Sequence, residues 1–457
     1  MAQKIEMEAT QPTNSHLRRA IAAAAIGNCM EWFDFGVYSY VAALIGKVFF
    51  PAGSTTNQLL FSFGAFAIAF LARPFGGIFF GPLGDKIGRQ RVLATTILLM
   101  AGSTFVVGVL PGYAAIGIWA PLLLVLARLV QGFSTGGEYS GAATFMVEYA
   151  PTKRRGFYCS WLEFGTLTGF ALGAALVIVC TTVLSPAQMS SWGWRVPFLL
   201  AAPLGIIGLY LRYQLEDTPA FRKLQQSESL SKAPLREVIT RHWRELLIVT
   251  GFVILLNVAD YEFLAYMPSY LQHTLHMGAK MGLLLPFLIM VVMMFLVVPV
   301  GWLVDHLGGK NILLASCVGF LLLSYPAIRL MSAGGIVSAL GGLFIIGFLL
   351  VLLLGTEPSM LSPQFPTRVR YGGFSIAYNV STSAFGGTAA LVVTWLVKVT
   401  GNADMPAYYL MAAAAAALVP ILLMRRTTGR PLIGSETPAN TRRPRQRIAE
   451  NQLSEQQ

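Results

Sequence analysis

Cysteine, histidine and charge are all scarce in this chain, and each scarcity removes a class of function. The four cysteines among 457 residues, Cys29, Cys159, Cys180 and Cys317, stand in apolar stretches without Cys-x-x-Cys spacing. A disulfide framework and a cysteine zinc site are thereby excluded. Of the five histidines only His273 and His276 are close in sequence, with no third ligand beside them, so no metal site is expected. No Ser/His/Asp or Cys/His pairing falls in a polar element, and the glycine-rich "STGGEYSG" lacks the lysine of a phosphate loop. Neither an enzyme nor a bound cofactor is therefore expected. Charged residues are 12% of the chain, hydrophobic residues 55%, and the mean hydropathy is +0.62, the profile of an integral membrane protein. The excess of 33 Lys+Arg over 21 Asp+Glu is scattered between hydrophobic segments, which argues against a nucleic-acid surface.

A bilayer core about 30 Å thick needs about 20 mostly apolar helical residues. Windows of that kind occur twelve times, approximately at 21–46, 58–80, 92–111, 116–149, 157–184, 196–213, 246–272, 280–302, 312–332, 335–362, 372–399 and 405–424. The expected fold is all-α, with twelve membrane-spanning helices in two six-helix halves. The charge-dense stretch 214–245 reads as a cytoplasmic loop between a bundle at 21–213 and another at 246–424. Residues 1–20 and 425–457 read as a cytoplasmic N-terminal segment and a basic tail without apolar heptads. The polar start carries no cleavage site before the first apolar run, so no removable signal peptide is expected. With both termini inside, 26 Lys and Arg fall on the cytoplasmic side and five outside, and Arg73 and Arg128 lie within spans. That asymmetry fixes the expected orientation.

The two halves share an element. "GPLGDKIGRQR" follows the second span and "GWLVDHLGGKN" the eighth, with Asp85 and Asp305 220 residues apart and Gly88 and Gly308 at the same interval. Duplicated in register, the element marks a doubled six-helix unit. Gly81, Asp85, Gly88, Arg89 and Arg91, with Asp305 and Gly308, form an expected conformational latch: glycines let helix ends approach, and carboxylates and basic side chains lock them.

These residues resemble a known family. GxxxDxxGRxR after the second span and "RLVQG" in the fourth are similar to signatures of the major facilitator superfamily of secondary transporters. "GNCMEWFDFGVY", "RPFGGIFFGPLGDKIGRQR", "VQGFSTGGEYSGA", "WGWRVPF", "YMPSYL" and "MPAYYLM" resemble its metabolite:proton symporter branch, and within it the bacterial proline/glycine betaine transporters. The resemblance implies a carrier of the bacterial inner membrane, acting as a monomer, that couples proton entry to uptake of a small zwitterion. Because the branch also carries organic acids such as 2-oxoglutarate, citrate and shikimate, proton symport of an acid is the alternative. A sensor or channel built on the same fold is the third reading.

Each charge placed mid-bilayer costs about 2.5–3.5 kcal/mol on insertion scales, so intramembrane charges are the natural functional candidates. Glu31 and Asp34 share one helical face, as do Arg128, Gln131, Thr135 and Glu138 in the fourth span. Antiparallel depth sets Arg128 near Asp34 and Glu138 near Glu31. Asp34 is expected to carry the proton, tuned by Arg128, with Glu31 and Glu138 in support. Candidate substrate contacts are Trp32, Tyr38, Gln131, Tyr139, Trp161, Asn257, Asp260, Tyr261, Glu357, Tyr378 and Asn379, because aromatic faces hold an organic cation and carboxylates neutralise it. Within the spans two arginines stand against seven acids, Glu163 and Glu262 among them, which favours a cationic or zwitterionic ligand over an anion.

Overall fold

The computed structural model describes residues 14–51, 53–87, 89–213, 234–367 and 369–433, with side chains described except at 14–20, 23, 81–93, 211–213 and 234–236. Among the described residues there is no strand. The first three crossings are Asn14–Phe49, Thr55–Ile87 and Arg89–Val109. The fourth runs as two pieces, Trp119–Thr135 and Glu138–Tyr149, followed by Arg155–Val183 and by a sixth crossing that ends in Ala201–Tyr213. The seventh to twelfth crossings are Trp243–Thr274, Ala279–Leu307, Gly309–Ser332, Ile336–Gln364, Arg370–Thr400 and Met405–Leu423. Large apolar side chains point outward, Phe75 being 68% and Phe295 66% exposed, as a surface solvated by lipid tails allows.

Lipid supplies no hydrophobic drive for helix association, so close approach of small residues must hold the bundle together. The first and fifth crossings show how the sequence provides it. Gly165, Gly169 and Gly173, four residues apart, lie against the backbone carbonyls of Ala25, Cys29 and Phe33, and Gly36 answers from the other side against Phe170. A Cβ at any of these would strike main chain. The second and fourth crossings interlock in the same way, Gly132 against the carbonyl of Ala69, Gly136 against that of Arg73, and Gly76 against that of Phe133.

The fourth span differs from the uninterrupted helix expected at 116–149. It is interrupted at Gly136–Gly137, and side chains of the other half meet the carbonyls there. Asn379 Nδ2 donates to the Gly136 carbonyl at 2.7 Å and the Tyr371 hydroxyl to that of Gly137 at 3.1 Å, so two side chains of the C-terminal half dock on the break. Irregular backbone also marks the facing half: π-helical turns at Glu262–Tyr266 and Thr382–Gly386 interrupt the seventh and eleventh crossings. Such turns concentrate at functional positions.

The packing makes a sharp contrast between glycines. Gly169→Leu is expected to force the first and fifth helices apart, at about 1–3 kcal/mol or more for overpacking, and to lower the thermal midpoint of detergent-purified protein. Gly102→Ala, where no neighbour lies within 4 Å of the added Cβ, is expected to leave that midpoint unchanged or slightly raised.

Candidate functional site

The charges of the first and fourth crossings meet as their depths require. Arg128 Nη1 lies 2.8 Å from Asp34 Oδ2 and also donates to Gln131 Oε1, while Gln131 Nε2 donates to Thr104 Oγ1 at 2.7 Å. The guanidinium sits 3.7 Å from the centre of the Tyr38 ring, and the Tyr38 hydroxyl donates to the Ser62 carbonyl at 2.8 Å. Tyr38 and Gln131, expected at the substrate, are thus brought to the ion pair. The chain of contacts lies inside the N-terminal bundle. Asp34 borders a void of about 20 Å³ shared with Met30, Met100, Thr104 and Gly205, enough for roughly one water. Its Oδ1 has no hydrogen-bond partner among the described residues.

A second cluster forms between the halves. Arg73 Nη2 lies 3.5 Å from Glu31 Oε1, and Arg73 Nε donates to Asn379 Oδ1 at 3.4 Å, which leaves Nη1 without a hydrogen-bond partner among the described residues. Glu31 therefore pairs with Arg73. Glu138 is buried at the start of the segment after the glycine break. Rings from both halves pack together at the same junction, and the Arg73 guanidinium lies 5.5 Å from the centre of the Phe70 ring. Tyr139 stacks on Tyr378 at 4.6 Å between centroids, and Tyr261 packs 5.8 Å from Trp32 and 5.0 Å from Phe70. The Tyr139 hydroxyl reaches Glu163 at 2.6 Å and Glu357 at 3.0 Å, and Asp260 is buried with Oδ1 unpartnered. Asn257 Nδ2 approaches Ser381 Oγ at 3.5 Å. Trp161 stands apart, half-buried against Phe157 and Phe164 of its own crossing. Among the described residues no group of three or more His, Cys, Asp or Glu side chains could hold a metal ion.

At one end of the bundle, the second copy of the repeated element touches the opposite half. Asp305 accepts from the backbone N–H of Gly156 at 2.7 Å and of Phe157 at 2.9 Å, a carboxylate seated on the N-terminus of the fifth crossing. Gly301 lies against the Gly156 carbonyl and the Ser160 side chain, and Gly308 turns the chain at φ 84°. In the first copy, Gly88 and the side chains of Gly81, Asp85, Arg89 and Arg91 lie outside the described residues. Two further links at this face escaped the sequence reading: Arg370 Nη1 lies 2.9 Å from Glu148 Oε1, and Arg155 Nη1 donates to the Arg430 carbonyl at 3.1 Å. No spacing in the sequence ties these residues together.

The chain has known relatives. Residues 24–390 match the model of the Major Facilitator Superfamily. The chain belongs to that superfamily. It is 46% identical over 435 residues to the glycine betaine/proline/ectoine/pipecolic acid transporter OusA of Dickeya dadantii, with 93% of this chain and 86% of the relative covered. It is equally identical over 432 residues, with the same coverage, to the proline/betaine transporter of Escherichia coli. Among solved structures, the superfamily's proton:xylose symporter XylE bound to 6-bromo-6-deoxy-D-glucose superposes with a TM-score of 0.72 at 17% identity, covering 92% of this chain and 98% of that one. The twelve-helix facilitator fold is shared. The protein is thus a transporter rather than an enzyme, a multi-pass protein of the bacterial inner membrane that moves a small molecule.

In this facilitator the Asp305 contact has a measurable consequence. Asp305→Ala removes a helix cap worth about 1 kcal/mol and is expected to let the two halves part at this contact about fivefold more often. A cysteine in place of Ser160, buried behind the contact, should then react correspondingly faster with a thiol reagent. An unchanged rate would remove Asp305 from the latch.

Proposed function

We propose that this chain couples inward proton flow to the uptake of a small zwitterion such as proline or glycine betaine, by alternating access, as a monomer with both termini in the cytoplasm. One observation carries the reading: Arg73, whose Nη1 has no hydrogen-bond partner among the described residues, lies where the two halves meet, as does Glu357, and among the described residues no ion pair reaches Glu357 or the buried Asp260. Arg73 suits the carboxylate end of a zwitterion, and the faces of Trp32, Tyr261 and Tyr378 with Asp260 suit its ammonium end. An organic acid would need a second free cation here, which this arrangement does not offer. The names of the relatives, proline and betaine transporters, support the same class of solute.

Proton coupling is assigned to Asp34 and Arg128, with Glu31 and Glu138 in support. Paired at 2.8 Å, the two charges neutralise each other inside the N-terminal bundle. When the guanidinium turns away, a lone buried carboxyl remains, and such a group holds a proton. Rocking of the two halves supplies the alternation. One proton moving down 100 mV releases about 2.3 kcal/mol and one pH unit adds about 1.4, ample for concentrative uptake without ATP.

Two measurements in proteoliposomes test the reading. Asp34→Asn is expected to abolish proton-driven accumulation of labelled proline while solute exchange persists; accumulation that survives would overturn the assignment. Arg73→Gln is expected to raise the KM for proline roughly 10–100-fold, the loss of a hydrogen bond to a charged group. Excess glycine betaine should compete with proline in the unmodified protein, whereas competition by 2-oxoglutarate or citrate alone would favour the organic-acid reading.

A further inference from the structure

Glu163 lies on the fifth crossing and Glu357 on the tenth, in opposite halves, yet both meet one hydroxyl. Tyr139 Oη is 2.6 Å from Glu163 Oε1 and 3.0 Å from Glu357 Oε1, and each of the three side chains is at most 2% exposed. A phenol has one proton to donate. It can satisfy one carboxylate, and the second contact closes when the other carboxyl carries a proton and donates to the phenol oxygen. Among the described residues no ion pair reaches either carboxyl. The groups that face them are Asp260 from the seventh crossing, which acts on both, Tyr378 stacked on Tyr139, and Thr166, whose hydroxyl bonds Glu163. Arg73 reaches Tyr378 but is held by Glu31 and Asn379. Nothing positive stands close enough to let both glutamates ionise in contact.

We propose that Glu163 and Glu357 share one proton through Tyr139 and so form a second proton-binding site, a clasp that joins the two halves when the carrier is closed. Tyr139 and Glu163 belong to the N-terminal half and travel together. When the halves part, Glu357 loses the phenol oxygen, meets water and can release its proton to it, leaving a carboxylate. Closing again then requires a proton on that carboxyl, because two carboxylates cannot share one donor at this distance without strong repulsion. The closed state is therefore favoured by protonation. The cytoplasmic contacts have the opposite sign, since protonating Asp305 or Glu148 weakens its bond to Gly156 and Phe157 or to Arg370. The direction of the pH effect separates the clasp from the latch. This proposal rests on alternating access but neither on Asp34 nor on the identity of the solute.

The test reads closure directly. In a background without the four native cysteines, spin labels at Lys153→Cys and His306→Cys, both exposed on the cytoplasmic ends of opposite halves, report the closed and open populations in nanodiscs. With one linked proton, the closed-to-open ratio is expected to fall about tenfold per pH unit as the site loses its proton. Glu357→Gln, whose amide donates at every pH, should keep the closed population high and abolish that dependence, and Glu163→Gln should do the same by removing the competing charge. Tyr139→Phe should lower the closed population at acid pH. A pH response that persists unchanged in both glutamine variants, or a closed state that grows as pH rises, would overturn the clasp. Asp34→Asn measured alongside keeps the two proposals apart, because it should lose accumulation and retain the pH-dependent closure.

Discussion

A charge in hydrocarbon has nowhere to go but inward, and this constraint organises the whole molecule. Water would stabilise each ion; the bilayer core does not, so each intramembrane carboxylate or guanidinium must find a partner, a proton or a wet cavity. In the N-terminal half the solution is pairing. Asp34 with Arg128 and Glu31 with Arg73 are both buried and both bridge separate helices. Breaking such a pair on one side leaves an uncompensated charge, which is far more costly than never having buried it. A pair of this kind consequently holds its two helices together for as long as both charges stay buried.

Glycine is what permits the pairs to exist. Arginine side chains reach across a helix interface only where the backbones run close, and Gly132 and Gly136 bring the fourth crossing onto the backbone of Ala69 and Arg73. The same close approach distorts the fourth helix at Gly136–Gly137 and turns two backbone carbonyls towards the other half. Asn379 uses one of them while also accepting from Arg73, so the second, fourth and eleventh crossings converge on one amide.

These relations differ in how far the sequence displays them. Asp34 opposite Arg128 follows from antiparallel depth and helical stripes alone, because both residues lie on regular helix where each residue advances about 1.5 Å. The repeat likewise drew attention to Asp305, which caps the fifth crossing. The partner of Glu31 was not legible. Arg73 stands beside Pro74 within the second crossing, and which way a side chain faces beside a proline depends on packing between helices rather than on period. Glu148 with Arg370 and Tyr139 with Glu357 are separated by more than 200 residues, and only the docking of one half on the other creates them. Residues whose partners lie across a moving interface carry no local pattern, since the pattern that selects them is the shape of the other half.

The halves are related by duplication but not in charge. Both intramembrane arginines that sequence counting found belong to the N-terminal half, whereas the seventh and tenth crossings bring Asp260, Glu262 and Glu357 into a half whose membrane core holds no guanidinium among them. Glu262 is fully buried with neither carboxyl oxygen hydrogen-bonded among the described residues. Among the described residues no ion pair reaches these three acids, the buried Arg370 of the same half being held by Glu148, so their charge is an unmet demand within the fold. A carrier needs such an unfilled demand, because a site that satisfied itself completely would have no reason to bind cargo and no reason to move when it did.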